Sequence, residues 1–185
     1  PANIQSSLIS EKKLISFKSK VLEKNKKYDF KINKVTTKIK NSKKPLLLLG
    51  HGVKISNSRD IILKLINKLK IPFCLTWNAT DLIESDNPYY VGRPGAFAER
   101  GINFIVQDCD LLISIGTRLP FMVTGYNAKN FAKNAYKIMV DIDQNELDKK
   151  NLEIDLKIHG DAKKFISELY VDLLKIKTFQ FEKRW

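Results

Sequence analysis

The 185-residue chain is 43% hydrophobic, enough for one packed core, and has a formal net charge of +13. Such an excess ordinarily points to nucleic acid or an anionic membrane, but 13 Lys against 3 acids lie in residues 1–44, while residues 45–185 hold 20 basic and 17 acidic residues. Without an aromatic-interleaved basic motif, or an apolar run of the roughly 18–20 residues that span a bilayer, both partners are set aside.

Residues 1–42 read as a Lys-rich N-terminal linker and a leading helix. The opening "PANIQSS", without a starting Met or a signal peptide, is expected to begin an excised or processed segment. Leu8, Ile9, Leu14, Ile15, Phe17, Val21 and Leu22 are scattered through polar sequence as a marginal helix or a wrapping linker. Ile32, Val35 and Ile39 recur at helical spacing in "FKINKVTTKIKNS", a short helix leading into Pro45. Residues 46–49 form a continuous apolar strand. A cap within Ser56–Ser58 is followed by a helical stripe of Ile61, Ile62, Leu65, Ile66 and Leu69. "IPFCLTW" (71–77) is a second strand, and "YYVG" (89–92) a short one beyond a polar connection. A helix is expected over Phe97–Gln107, with Ile102, Ile105, Val106 and Cys109 on one face. "LLISIG" (111–116) is the third strand, 126–134 is irregular or weakly helical, and "YKIMVDI" (136–142) is the fourth strand. "LEIDLKIHG" (152–160) adds a short edge strand. Asp161 caps a last helix with Phe165, Ile166, Leu169, Leu173 and Leu174 inward.

Apolar strands without alternation need cover on both faces, and helices lie between them. The expected fold is α/β: a doubly wound, mostly parallel sheet with helices on both faces, Rossmann-like. Cys74 and Cys109 lie in apolar segments with no ligand-spaced partner, so they read as buried reduced thiols, as in a cytoplasmic protein.

Ligands of such sheets bind outside the carboxyl ends of the strands. Standing there are Gly50-His51-Gly52, Thr76-Trp77-Asn78, Gly116-Thr117-Arg118, Asp141-Ile142-Asp143 and His159-Gly160-Asp161, with "GRPGAFAERG" (92–101) before a helix. A dinucleotide fingerprint begun at Gly50 and Gly52 needs a third glycine where Ile55 stands, and no acid closes the second strand. The amides at 50–53 either meet a phosphate at a helix N-terminus or simply make a tight turn. Arg118 is placed to pair with a diphosphate, or is a surface arginine. One of Asp141 and Asp143 can accept from a ribose or adenine, or cap a helix. Gly92, Arg93 and Gly95 suit an anion-binding nest or a plain surface loop. His51 and His159 are too few for metal chemistry, and no catalytic series or metal spacing is present.

Taken together, "KKPLLLLGHGV", "IPFCLTW", "VGRPGAFAERGINFIVQDCDLLISIGTRL", "TGY", "KIMVDIDQNEL" and "HGDAKKFISEL" resemble, in order and spacing, the central domain of thiamine-diphosphate-dependent enzymes of the acetolactate synthase type. The resemblance implies a central domain over 43–177 and an exit linker over 178–185. It implies a parent enzyme that uses thiamine diphosphate and Mg to decarboxylate a 2-oxo acid and transfer the acyl-anion equivalent, as a homo-oligomer, dimer or tetramer. The parent's two other domains would hold that cofactor and metal. Gly160-Asp161 is followed by Ala162 rather than by the second glycine of the family's metal motif, so this segment alone is expected to be non-catalytic.

By position, the resemblance implies FAD- or ADP-contacting residues at Gly50, His51, Gly52, Thr76, Trp77, Asn78, Gly92, Arg93, Gly95, Gly116, Thr117, Arg118, Asp141, Ile142, Asp143, Gly160 and Asp161. Flavin-binding members carry an Asp-Asp-Arg run where this chain has Pro120-Phe121-Met122, which argues against a tightly held FAD. The alternative function is a free-standing NAD-, FAD- or ADP-binding module without catalysis. A further alternative is a basic binder acting through residues 1–44.

Overall fold

A computed structural model describes residues 2–16, 27–98, 100–182 and 185. A single helical turn, α1 (Ala2–Gln5), precedes a segment on which Leu8, Ile9, Leu14 and Ile15 are all exposed. Phe17, Val21 and Leu22 lie outside the described residues. The ordered succession then runs α2 (Ile32–Asn41), β1 (Pro45–Leu49), α3 (His51–Ile55), α4 (Arg59–Leu69), β2 (Phe73–Leu75) and α5 (Arg100–Asp108). It continues through β3 (Leu111–Ile115), α6 (Phe121–Thr124), β4 (Tyr136–Asp141), α7 (Gln144–Leu147), β5 (Leu156–His159) and α8 (Ala162–Leu174).

The five strands form one sheet in the order β2-β1-β3-β4-β5, every neighbouring pair parallel. This is the α/β architecture expected from the unbroken apolar runs. Side chains alternate across a strand, so each run feeds two cores. Leu47, Leu49, Ile113, Ile115, Ile138 and Val140 join the α2, α4 and α8 side; Leu46, Leu48, Leu112 and Met139 join the α5 side. β1 is buried on both faces, which is why it has no polar residue at all.

Several expected elements differ at their ends: the helix expected from Phe97 runs Arg100–Asp108, and the edge strand expected over 152–160 is only Leu156–His159. The second strand is three residues long, and Tyr90 only bridges to Phe73 at the sheet edge. Leu174, placed inward by periodicity, is 54% exposed because the next residue along a helix turns about 100° away from the buried Leu173, while Asp172 in the same turn still bonds Thr36 of α2. Asp161 does cap α8, its carboxylate accepting from Lys164 N at 2.9 Å.

Asp110, at the start of β3, ties the amino edge together. Its carboxylate accepts from Ser42 Oγ, from Lys43 N at 2.7 Å and from Lys44 N at 3.0 Å. Two described residues of the expected exit linker return to the same edge. Glu182 N donates to Lys43 O at 2.9 Å, and Trp185 Nε1 donates to Pro45 O at 2.6 Å.

Gly101 lies inside α5, where an added Cβ meets no described atom within 4 Å. Glycine there costs backbone entropy for no packing gain. Gly101→Ala is expected to stabilise the chain by roughly 0.5–1 kcal/mol, read as a raised urea midpoint at unchanged slope.

Candidate functional site

The strand order changes direction at β1: β2 lies on one side and β3 on the other. The loops leaving β1 and β3 therefore flank the switch point where an open α/β sheet normally receives its ligand. In this chain those loops touch. Gly50 N donates to Ile115 O and Gly52 N to Gly116 O, both at 2.9 Å, while Val53 N turns back to Gly50 O at 3.1 Å. A Cβ on Gly50 would sit 2.2 Å from Gly116 O, and one on Gly52 2.8 Å from Gly116 Cα. Gly116 itself has φ +60°. The three glycines are thus required by a backbone crossing, and three amides of the turn are spent within the protein.

Around this closed crossing the other singled-out residues form a rim. His51 Nδ1 lies 2.6 Å from Asn78 O, joining the exits of β1 and β2. Thr76 is buried, its amide bonded to Leu49 O. Trp77 is 44% exposed and carries the Arg93 guanidinium over its ring, 4.8 Å from the centroid. Gly92 and Gly95, with φ +109° and +137°, bend the 92–98 loop onto α6. Gly95 N and O both bond the Asn103 amide at 3.0 Å, and Ala96 N bonds Met122 O at 3.0 Å. Thr117 is buried beneath the crossing, and Arg118 stands out from it at 71% side-chain exposure.

At the far side of the rim, Asp141 is buried at the end of β4 and accepts from Asp143 N at 3.0 Å. Asp143 caps α7, accepting from Asn145 N at 3.0 Å. Ile142 is exposed, and its carbonyl lies 2.9 Å from His159 Nε2. Gly160 is buried, its N bonded to Asp141 O, with Phe30 occupying the space a Cβ would fill. Trp77–Arg93 and Asp141–Gly160 thus occupy opposite ends of the rim, with the glycine crossing and Arg118 between them.

Three residues, two at this rim and Asp110 at the amino edge, carried too weak a signal to be singled out from sequence. Asn103 clamps Gly95 from within α5, eight residues away, and nothing in its local pattern marks it. Asp110 reads as an ordinary strand-leading acid. Glu146, in "DQNEL", has capping-box spacing from Asp143, but in the structure its carboxylate faces Arg118 and Lys149.

Burial raises the carboxyl of Asp141 above the usual Asp range, and the nearby Glu146 and Asp143 charges add to this. Its bond from Asp143 N and the Arg118 charge oppose the shift. A folded-state value above the unfolded one means the group favours folding when protonated. That contribution is full below the ordinary Asp value of about 3.9 and is lost as pH rises through the elevated value. Asp141→Asn, which keeps an oxygen for Asp143 N, should melt no lower than the wild type at pH 7. Its advantage should shrink toward pH 4 in thermal melts.

Burial likewise raises both thiols, that of Cys109 to about 12, and each Sγ donates to a backbone carbonyl, so both are unreactive packing groups. Among the described residues, no group of three or more His, Cys, Asp or Glu is placed to hold a metal ion, and Asp161 is spent on its helix cap. No described helix is long and apolar enough to cross a membrane.

A five-stranded parallel sheet, helix-covered on both faces with a polar and aromatic rim at its carboxyl edge, defines a Rossmann-like α/β domain. A family model described as "Thiamine pyrophosphate enzyme, central domain" matches residues 32–169. The chain belongs to this family, in its acetolactate synthase type. A probable acetolactate synthase large subunit of Methanococcus aeolicus is 37% identical over 142 residues, 77% of this chain and 23% of the relative. Another, from Methanocaldococcus jannaschii, is 35% identical over 149 residues, 80% of this chain and 25% of the relative. A 3D-(3,5/4)-trihydroxycyclohexane-1,2-dione hydrolase of Clostridium botulinum is 33% identical over 132 residues, 71% of this chain and 20% of the relative. The chain spans about a quarter of the length of the curated relatives it matches.

Proposed function

We propose that this chain serves as the central domain, over residues 43–177, of a larger thiamine-diphosphate- and Mg-dependent enzyme. That enzyme decarboxylates a 2-oxo acid and transfers the resulting acyl group. The observation that carries the reading is the family match across 138 consecutive residues (32–169), from the leading helix into α8. The cofactor and metal belong to the parent's two other domains, and residues 1–42 and 178–185 connect to them. The assembled enzyme is a cytoplasmic homo-oligomer. The domain's work is to space and orient those neighbours.

Its carboxyl edge keeps a second capacity, the binding of an ADP-type nucleotide. Trp77 and Ile142 offer apolar faces on the rim, Arg93 and Arg118 offer cations for a diphosphate, and Asp141 or Asp143 an acceptor for a ribose. The crossing of Gly50, Gly52 and Gly116 forces the nucleotide to lie over the two loops rather than between them. Pro120-Phe121-Met122 provides no polar partner for a flavin, so ADP is favoured over FAD.

Two experiments test this. The reading frame of the parent should continue into a Gly-Asp-Gly motif with a downstream Asn; a frame lacking it removes the enzyme reading. A thermal-shift titration of the full chain should give a larger shift with ADP than with FAD. No shift at saturating ADP leaves the carboxyl edge purely structural.

A further inference from the structure

An ion triad at the exit of β4 joins the rim to a residue outside it. Glu146 is fixed in α7, its amide bonded to Asp143 O at 3.1 Å. Its side chain is only 14% exposed, against 71% for Arg118 and 43% for Lys149. One carboxylate oxygen, Oε1, lies 3.7 Å from Arg118 Nε, and the other, Oε2, pairs with Lys149 Nζ. Two cations thus share one anchored carboxylate, one on each oxygen.

The arrangement is asymmetric. Lys149 sits three residues from Glu146 and pairs closely, whereas Arg118 reaches in from the loop after β3 at the limit of ion-pair distance. If Arg118 turns away, Glu146 keeps the Lys149 charge beside it, although its Oε2 is buried and accepts no hydrogen bond among the described residues. The guanidinium therefore has two accessible partners: Glu146, or an anion lying over the glycine crossing. A diphosphate is the stronger competitor, because it offers a guanidinium several oxygens and more charge than one long contact to a shared carboxylate.

We infer that Glu146 is an internal counter-ion for Arg118, holding the guanidinium until a nucleotide diphosphate displaces it, and so sets the affinity of the carboxyl edge for anions. The inference rests on the nucleotide reading proposed above. Glu146 acts through Arg118 and touches no ligand itself, so it is a positioning residue. A long ion pair whose guanidinium is exposed corresponds to a factor of up to about five in binding.

The test is calorimetric titration of the full 185-residue chain with ADP, inorganic pyrophosphate and adenosine. Four proteins are compared: wild type, Glu146→Gln, Arg118→Gln and the double variant. Glu146→Gln is expected to tighten ADP and pyrophosphate about two- to fivefold, with adenosine unchanged. The gain should vanish in the Arg118→Gln background. Measurable binding by Glu146→Gln alone also supports the inference. A gain that survives in the Arg118→Gln background marks a general charge effect and overturns it, as does unchanged or weaker binding by Glu146→Gln. In those cases the nucleotide reading still stands. If none of the four binds ADP or pyrophosphate while circular dichroism reports a folded chain, the nucleotide reading fails and this inference goes with it.

Discussion

Replacing Gly50 by alanine should cost roughly 3 kcal/mol or more of stability, a large effect for one added methyl group. The new Cβ would lie 2.2 Å from Gly116 O and 2.6 Å from Thr117 Cα, both backbone atoms of the neighbouring strand's exit. Neither can rotate aside as a side-chain tip would. The β1 and β3 loops must part, breaking the Gly50–Ile115 and Gly52–Gly116 hydrogen bonds that join them. Gly116→Ala combines a similar backbone collision with the strain of φ +60° and should cost at least as much. For a chain of this size 1 kcal/mol moves the melting temperature by about 2–4 °C, so the losses are readable in a simple melt. Gly101→Ala is the internal control, with its opposite sign. A Gly50→Ala protein within 1 kcal/mol of wild type would mean that the two loops separate freely.

The second large effect is expected from Phe165→Ala, at about 3–5 kcal/mol by urea denaturation. Phe165 is fully buried and projects from α8 onto the sheet core. Its ring meets Phe30 edge-on at 5.7 Å, and Phe30 stacks on Tyr28 at 5.5 Å. Removing it opens a cavity and frees the segment that leads into α2, whose Val35 and Ile39 are also fully buried. The loss should therefore exceed that of an isolated core truncation. Protection of the 28–31 amides from hydrogen exchange should fall in the same variant. A loss below 2 kcal/mol would show that α8 and the sheet close over the gap.

The sheet and its order of helices were legible because parallel strands buried on both faces must be apolar throughout. "PLLLL" and "LLISI" carry that constraint in five letters each. The short β2 was overestimated because Ile71 and Thr76 on either side of it are buried too, while the ladder with β1 takes in only Phe73–Leu75. Period and burial agree; pairing is a separate fact that depends on the neighbour.

The glycines show the opposite case. Gly50-His51-Gly52 announces a turn at a strand end, but the partner that makes glycine obligatory is Gly116, 66 residues later. No local pattern distinguishes an amide aimed at a phosphate from one already bonded to a carbonyl of the next strand. Glu146 was hidden for a related reason. Its spacing from Asp143 has a sufficient local explanation, and the pairing with Arg118 exists only once β3 and β4 lie side by side.

The two ends of the described fold are fastened at opposite edges of the sheet. Tyr28 and Phe30 lie against Gly160 at the carboxyl end of β5, whereas Trp185 is bonded to Pro45 at the amino end of β1. Tension applied between those anchors runs diagonally across β5, β4, β3 and β1, with a component along the strands. It loads the intervening ladders in shear, many hydrogen bonds at once, rather than peeling them singly. A fold strung this way is expected to resist a pull between its two anchors along the strands, where many hydrogen bonds must break together.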